Sequence, residues 1–97
     1  MIWGIEFLQE AEKDMKRLDH SVQIQVLKGI KKVSKNPLPV SQGGYGKPLG
    51  NKENTNLTNL MKIKFRDIGI RVVYKIEYVD EVMKIIVISA RTDEQVY

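Results

Sequence analysis

The clearest pattern of hydrophobic and polar positions lies in the segment Leu60 to Ile76, LMKIKFRDIGIRVVYKI. Apolar and basic residues alternate along its first half, which is the two-residue period of a strand with one buried face. Asp67-Ile68-Gly69 interrupts the alternation, so the pattern predicts two antiparallel strands joined by a short turn. One face of this hairpin is expected to bury apolar side chains, and the other to carry Lys62, Lys64 and Arg66 from the first strand and Arg71 and Lys75 from the second. Such a density of positive charge suits a polyanion.

The chain before the hairpin has the patterns of one short strand and two helices. Alternation over Ile2 to Phe7 predicts the strand. Apolar residues at three- and four-residue spacing predict the helices, the first on Leu8, Ala11, Met15 and Leu18, the second on Val22, Val26, Leu27, Ile30 and Val33. We expect Asp19 or Ser21 to cap the second helix and Asn36-Pro37 to end it. The charged positions of the first helix, Asp14 among them, are expected to face solvent.

The remaining segments predict a loop and a last strand. Residues 37–56 are rich in Gly, Pro, Asn and Ser, which favours a long loop anchored by Leu49. Asp80-Glu81 predicts a second turn, and the apolar run from Lys84 to Ala90 predicts a strand inside the sheet. The predicted fold class is α+β in the order β-α-α-β-β-β, a small, mainly antiparallel sheet with a helical hairpin on one face. Residues 1–97 are predicted to form a single domain.

Composition and charge narrow the class of protein. At 97 residues, with 42% hydrophobic and 29% charged residues, the chain has the composition of a soluble globular domain. It has no cysteine and no apolar run near the ~18 residues that a membrane span requires, which fits a cytoplasmic protein. Residues 21–57 carry six Lys or Arg against one Glu, and residues 58–76 carry five against one Asp, whereas both ends of the chain are acidic. The basic middle of the chain points to an anionic partner.

The side chains usually used for acid–base chemistry are scarce. His20 is the only histidine, and its place in the predicted turn between the helices favours a surface role. No metal-ligand or Ser/His/Asp spacing is present, so neither a metal nor a cofactor is expected. An enzyme would therefore depend on Lys, Arg and Tyr, and a lysine among other cations can exchange protons near neutral pH. The alternative is a solvated sheet face, because alternating lysines also protect sheet edges from aggregation.

Two segments carry a resemblance to a known family. KIKFRDIGIRVVYKI and KIIVISARTDEQVY resemble the C-terminal half of the RelE group in the RelE/ParE toxin superfamily, and the AEKDMKRLD helix and the KPLGN loop are similar to members as well. The resemblance implies five catalytic residues, which are Lys62, Lys64, Arg71, Arg91 and Tyr97. Lys47, Arg66 and Lys75 are predicted to bind the RNA. The sequence ends at Tyr97, whereas RelE-like chains often continue into a short helix.

The resemblance implies a ribosome-dependent endoribonuclease toxin that cuts mRNA in the ribosomal A site. The implied chemistry is metal-independent transesterification by the RNA 2′-hydroxyl, with either Lys62 or Lys64 as the base. A cognate antitoxin, RelB-like or another acidic protein, is the implied partner, and DNA is contacted only through it. Two alternatives remain at this point, a ParE-like toxin that binds DNA gyrase without catalysis and a basic nucleic-acid-binding module.

Overall fold

The computed structural model describes residues 3–48 and 60–90, which contain two α-helices and five strands. In chain order these are β1 (Gly4–Phe7), α1 (Gln9–Lys16), α2 (His20–Val33), β2 (Lys47–Pro48), β3 (Leu60–Phe65), β4 (Ile70–Glu77) and β5 (Val82–Ala90). The strands form one sheet in the order β1-β5-β4-β3-β2, in which β1 is parallel to β5 and the other neighbours are antiparallel. The predicted α+β class and the mainly antiparallel sheet are confirmed.

The central hairpin of β3 and β4 has the predicted register and faces. Met61 pairs with Tyr74, Ile63 with Val72 and Phe65 with Ile70, so the apolar positions of both strands share one face. The turn is a single 3₁₀ turn over Arg66–Ile68, and Gly69 ends it in the left-handed region with a φ of 65°. Arg66 therefore belongs to this turn and not to the strand, which corrects its predicted place beside Lys62 and Lys64.

The helices supply a second layer on the apolar face of the sheet. The buried core joins residues of both layers: Ala11, Val26, Ile30 and Val33 from the helices, and Met61, Ile70, Val72, Tyr74, Ile76, Met83, Ile85 and Ile88 from the strands. Gly29 of α2 lies so close to the ring of Phe65 that a Cβ there would collide with it. Leu27, predicted to be buried, is 37% exposed. Neither helix is long and apolar enough to cross a membrane, among the residues described.

Two features of the helices differ from the sequence prediction. Asp14 was expected to face solvent, but its side chain is only 10% exposed and its carboxylate accepts a hydrogen bond of 3.0 Å from the backbone N–H of Ile88 in β5. Asp19 precedes α2 without making a side-chain capping hydrogen bond, and Ser21 lies inside the helix. His20 is the first residue of α2 and not part of a turn, and it is exposed.

The part of the chain from residue 34 to residue 48, which follows α2, is more ordered than the predicted long loop. It contains a 3₁₀ turn over Val40–Gln42 and an isolated bridge between Pro39 and Gly46, and it ends in β2, which pairs with β3. The hydroxyl of Tyr74, in the core, donates a hydrogen bond of 2.8 Å to the carbonyl of Pro37. Backbone pairing and this bond hold the segment in place, whereas the predicted anchor, Leu49, lies outside the described residues.

The nearly continuous apolar run of β5 contains a β-bulge. Val73 pairs with Val87 and Tyr74 pairs with Ile85, so Ile86 is an extra residue on β5. The bulge lets Ile85 and Ile88 both face the core although they are three positions apart. β5 lies between β1 and β4, which confirms the prediction of a strand inside the sheet.

Candidate nucleic-acid interface

The sheet face opposite the helices carries a cluster of cations, which we call the basic face and define as Lys62, Lys64, Arg71 and Lys75. Alternation along the strands puts these side chains on the side away from Met61 and Tyr74. Lys64 pairs directly with Arg71, and Lys62 lies two positions further along β3, opposite Val73. Lys47 of β2 pairs with Lys62, so a row of two lysines continues to the edge of the sheet. The predicted alternation therefore brings Lys62, Lys64 and Arg71 together, and the pairing of β2 with β3, which was not predicted, adds Lys47.

Arg71 is held between neighbouring strands with part of its bonding capacity unused. It is partly buried, and its Nε is buried without a hydrogen-bond partner among residues 3–48 and 60–90. No carboxylate in these ranges lies within ion-pair distance of Arg71 or Lys62. Like charges directly opposite each other on two strands repel, so the Lys64–Arg71 pair concentrates positive charge at this point of the sheet.

Lys75 differs from the other cations of the basic face. Its Nζ lies 3.9 Å from Glu77 Oε2, and Lys84 Nζ lies 3.9 Å from the same oxygen. Lys75 also pairs with Lys84 across β4 and β5, so Glu77 serves both lysines. The positive charge of Lys75 is therefore partly balanced within the protein, and the unbalanced charge lies toward Lys62 and Arg71.

A small cleft opens at the β3 edge of the sheet, where the basic face meets the helical layer. It has a volume of about 120 Å³ and is lined by Val33, Tyr45, Lys47, Lys62, Ile63 and Lys64. Tyr45 was not singled out from the sequence, although an aromatic residue between two glycines and two positions before Lys47 was a visible signal. Tyr45 is half exposed. The two apolar residues that line the cleft with it, Val33 and Ile63, are more buried.

Tyr74 and His20 do not contribute to this surface. Burial raises the pKa of the Tyr74 hydroxyl, which points into the core and donates to Pro37, so it is not available for proton transfer. His20 lies on α2, in the layer on the opposite face of the sheet. Within the described ranges no three His, Cys, Asp or Glu residues are grouped as metal ligands. The chemistry available at the basic face is that of ammonium and guanidinium groups.

Two of the predicted catalytic residues cannot be placed relative to this cluster. β5 ends at Ala90, and Arg91 and Tyr97 lie outside the described residues. Arg66 and Lys47 are exposed, Arg66 in the turn between β3 and β4 and Lys47 in β2. Of the eight predicted site residues, the structure therefore describes six, and four of these surround the junction of β2, β3 and β4.

Solved structures of RelE toxins share this fold. The isolated RelE toxin of E. coli matches with a TM-score of 0.77 and 24% identity, over 98% of this chain and 90% of that chain. The RelBE2 toxin–antitoxin complex from Mycobacterium tuberculosis matches with a TM-score of 0.72 and 21% identity, over 94% and 100% of the two chains. The archaeal RelE–RelB complex from Pyrococcus horikoshii matches with a TM-score of 0.63 and 17% identity, over 95% and 98%.

These likenesses extend over nearly the whole length of the chain and of its structural neighbours. They show that the chain has the RelE-like fold that the sequence resemblance implied. No protein-family model matches the sequence, and no curated protein matches it. Because a fold hosts different functions in different proteins, the function has to be argued from the basic face itself.

Proposed function

We propose that this chain, which has the fold of the RelE toxins, is the toxin of a toxin–antitoxin pair and cuts mRNA in the ribosomal A site. The observation that carries the proposal is the pairing of Lys64 with Arg71, with Lys62 two positions away and no carboxylate beside Lys62 or Arg71 in the described ranges. A guanidinium and two ammonium groups on adjacent strands suit a phosphodiester, which carries its charge on oxygens that accept from several donors at once.

The proposed reaction is transesterification at one phosphodiester. The 2′-oxygen of the RNA loses its proton to a lysine amine and forms a bond to the adjacent phosphorus, while the bond from phosphorus to the 5′-oxygen breaks. The leaving 5′-oxygen takes up a proton, so the products are a 2′,3′-cyclic phosphate and a free 5′-hydroxyl. Arg71 stabilises the charge on the phosphorane oxygens, a contact whose loss typically costs about 100- to 1000-fold in rate.

The remaining roles follow the sequence resemblance. One of Lys62 and Lys64 is the base and the other supplies charge, Arg91 assists the leaving group, and Tyr97 orients or stacks on a base. Lys47, Arg66 and Lys75 bind flanking phosphates, which they can do through charge alone without reading sequence. Because no histidine or carboxylate of the described residues lies beside Lys62 or Arg71 to act as a base, we propose that the ribosome supplies part of the geometry by holding the mRNA. The site of action is then the cytoplasm.

The proposed partner is an acidic antitoxin encoded beside the toxin. The complexes from M. tuberculosis and P. horikoshii contain RelB-type partners, and an acidic, partly disordered chain can fold around a basic domain. We expect such a protein to cover Lys62, Lys64 and Arg71, with association that slows as salt rises. Co-purification with the neighbouring gene product and restored growth on co-expression are the expected results. A stable complex that still cleaves A-site mRNA at the full rate contradicts inhibition by covering this face.

The activity is tested on translating ribosomes. Purified protein is added to a translation reaction, new mRNA 5′ ends are mapped, and the 3′ ends are examined for cyclic phosphate. We expect cuts in the A-site codon, none of comparable rate on the same RNA free in solution, and none with the Arg71→Ala variant. His20→Ala is the matched control, because His20 is exposed on the helical layer. Absence of ribosome-linked cleavage by the wild-type protein overturns the proposal.

A further inference from the structure

Tyr45 presents an aromatic ring beside the lysines of the basic face. The residue is 50% exposed, although the backbone of its segment is held by hydrogen bonds. Lys32 Nζ, from the last turn of α2, lies 5.9 Å from the ring centroid and over its face. This contact occupies one face of the ring, and half of the residue's surface remains exposed to solvent.

The position of Tyr45 follows from the register of the β2–β3 pair. Lys47 pairs with Lys62 and Pro48 with Met61, and the same register continued beyond β2 brings Tyr45 level with Lys64. The chain leaves the ladder at Gly46, which bridges to Pro39 instead. The space opened by this departure is the cleft of about 120 Å³ that Tyr45, Lys47, Lys62 and Lys64 share.

The backbone around Tyr45 is fixed by hydrogen bonds on both sides. Tyr45 N–H donates to the carbonyl of Asn36 at 2.8 Å, and Gly46 N–H donates to that of Leu38 at 2.8 Å. A Cβ at either flanking glycine would collide with backbone oxygens, that of Leu38 at Gly44 and that of Pro37 at Gly46. Since Pro37 is in turn bonded to the hydroxyl of Tyr74 in the core, the ring is displayed on a rigid support.

We propose that the ring of Tyr45 is a stacking platform for one nucleobase of single-stranded RNA, whose neighbouring phosphates lie on Lys47 and Lys62. An exposed aromatic ring next to a row of cations is the combination that single-stranded nucleic acid requires, because bases stack on rings while phosphates bind the cations. Stacking accepts any base, so Tyr45 contributes affinity and register more than sequence preference. This inference rests on the proposed RNA substrate, and it places the base at the β3 edge of the basic face.

The competing explanation is structural, with Tyr45 serving only to hold Lys32 and the loop. The two explanations separate in an oligonucleotide-binding measurement. The probes are a fluorescein-labelled 2′-O-methyl RNA of mixed sequence, which cannot undergo 2′-hydroxyl attack, and an oligonucleotide of the same length and charge whose sugars carry no bases. Fluorescence anisotropy at low salt gives the affinity of each protein for both probes.

We expect the wild-type protein to bind the base-bearing probe more tightly than the abasic one. Tyr45→Leu should weaken binding of the base-bearing probe by about 5- to 150-fold and leave the abasic probe unchanged, while Tyr45→Phe keeps the preference because it keeps the ring. Lys62→Ala should weaken both probes alike, because it removes a phosphate contact. Thermal melting of each variant provides the check on folding.

The outcomes keep this inference separate from the proposed function. No binding by the wild-type protein, equal binding of both probes, or a Tyr45→Leu variant that retains the preference overturns the stacking platform. If the wild-type protein cuts A-site mRNA and Tyr45→Leu cuts it with the same KM, the proposed function stands and the platform fails. If the wild-type protein shows a base preference that depends on Tyr45 but cuts nothing, the platform stands and the nuclease proposal fails.

Discussion

Lys64 and Arg71 lie directly opposite each other on β3 and β4, with their side chains on the face of the sheet away from the helices. Two cations in this arrangement repel each other. Arg71 adds a buried Nε without a partner in the described ranges. This pair of opposed cations is the feature on which the proposed phosphate binding rests.

The first prediction concerns Arg71. Arg71→Ala should lower A-site cleavage by about 100- to 1000-fold, because a preorganised contact to the transition state is lost. Its melting temperature should be equal to or above that of the wild-type protein, since the repulsion with Lys64 is removed. Cleavage is followed by primer extension and melting by circular dichroism. Lys28→Ala, an exposed lysine on α2, is the charge-matched control and should retain full activity.

The second prediction concerns the bond between Tyr74 and Pro37. Tyr74→Phe leaves the buried carbonyl of Pro37 without its donor and should lower the free energy of unfolding by about 1–3 kcal/mol. The pH dependence should change as well, because burial raises the pKa of Tyr74 in the folded protein. The stability due to this shift is fully present below the unfolded-state pKa of about 10 and is lost as pH rises above it.

The corresponding measurement is urea unfolding from pH 7 to pH 11. The wild-type protein should lose stability above about pH 10 more steeply than Tyr74→Phe, because Tyr74 ionises in the unfolded chain but stays protonated in the folded protein, which favours unfolding. Tyr45→Phe is the matched control, as its hydroxyl lies on a half-exposed ring. Parallel alkaline curves for Tyr74→Phe and the wild-type protein would show that the hydroxyl of Tyr74 is not buried in solution.

Local periodicity was sufficient to predict the layers of this fold and the cluster on the basic face. The alternation of Lys62, Ile63 and Lys64 determines their faces without any knowledge of the neighbouring strand. The features that were missed depend on contacts between distant residues. The Asp14 carboxylate is largely buried where it accepts a hydrogen bond from the backbone N–H of Ile88. β2 forms by backbone pairing with β3, in which Lys47 lies opposite Lys62.

The same reasoning explains why the loop and the bulge were not predicted. Glycines, prolines and polar residues indicate a loop, but they do not show that Tyr74 holds Pro37 from the core. The apolar run in β5 indicates a strand, but only the pairing with β4 shows that Ile86 is an extra residue. Tyr45 was overlooked for a related reason, since its importance comes from lysines on strands elsewhere in the sequence.

The third prediction concerns Asp14. Asp14→Ala removes the acceptor of the Ile88 N–H and should lower the free energy of unfolding by about 1–3 kcal/mol, the usual cost of a buried donor left unpaired. Asp14→Asn keeps an oxygen acceptor and should recover part of that loss. Glu10→Ala, exposed on the same helix, should change stability by less than about 0.5 kcal/mol. Equal stability of Asp14→Ala and Glu10→Ala contradicts the role assigned to the Asp14 carboxylate.

The fourth prediction concerns the packing of α2 on the sheet. A glycine-to-alanine change inside a helix normally gains about 1 kcal/mol, but at Gly29 the added methyl group meets the ring of Phe65. Overpacking costs about 1–3 kcal/mol, so Gly29→Ala should be neutral to destabilising by about 2 kcal/mol. In a Phe65→Leu background the same change should be favourable. The free energy of unfolding is measured with urea in both backgrounds. If Gly29→Ala changes it equally in both, residue 29 does not contact the ring of Phe65.

The last prediction separates the two lysines of β3. Arginine keeps the positive charge but does not release a proton near neutral pH. It can therefore replace a lysine that only supplies charge, but not a lysine that acts as the general base. Lys64 is the one that pairs with Arg71, and it therefore stands nearer the phosphate that Arg71 is proposed to hold. We expect Lys64→Arg to lower single-turnover A-site cleavage by about 100- to 10,000-fold, the usual contribution of a general base. Lys62→Arg should remain within about tenfold of the wild-type rate, because its role is to supply charge. The reverse pattern assigns the base to Lys62, and full activity in both variants excludes either lysine as the base.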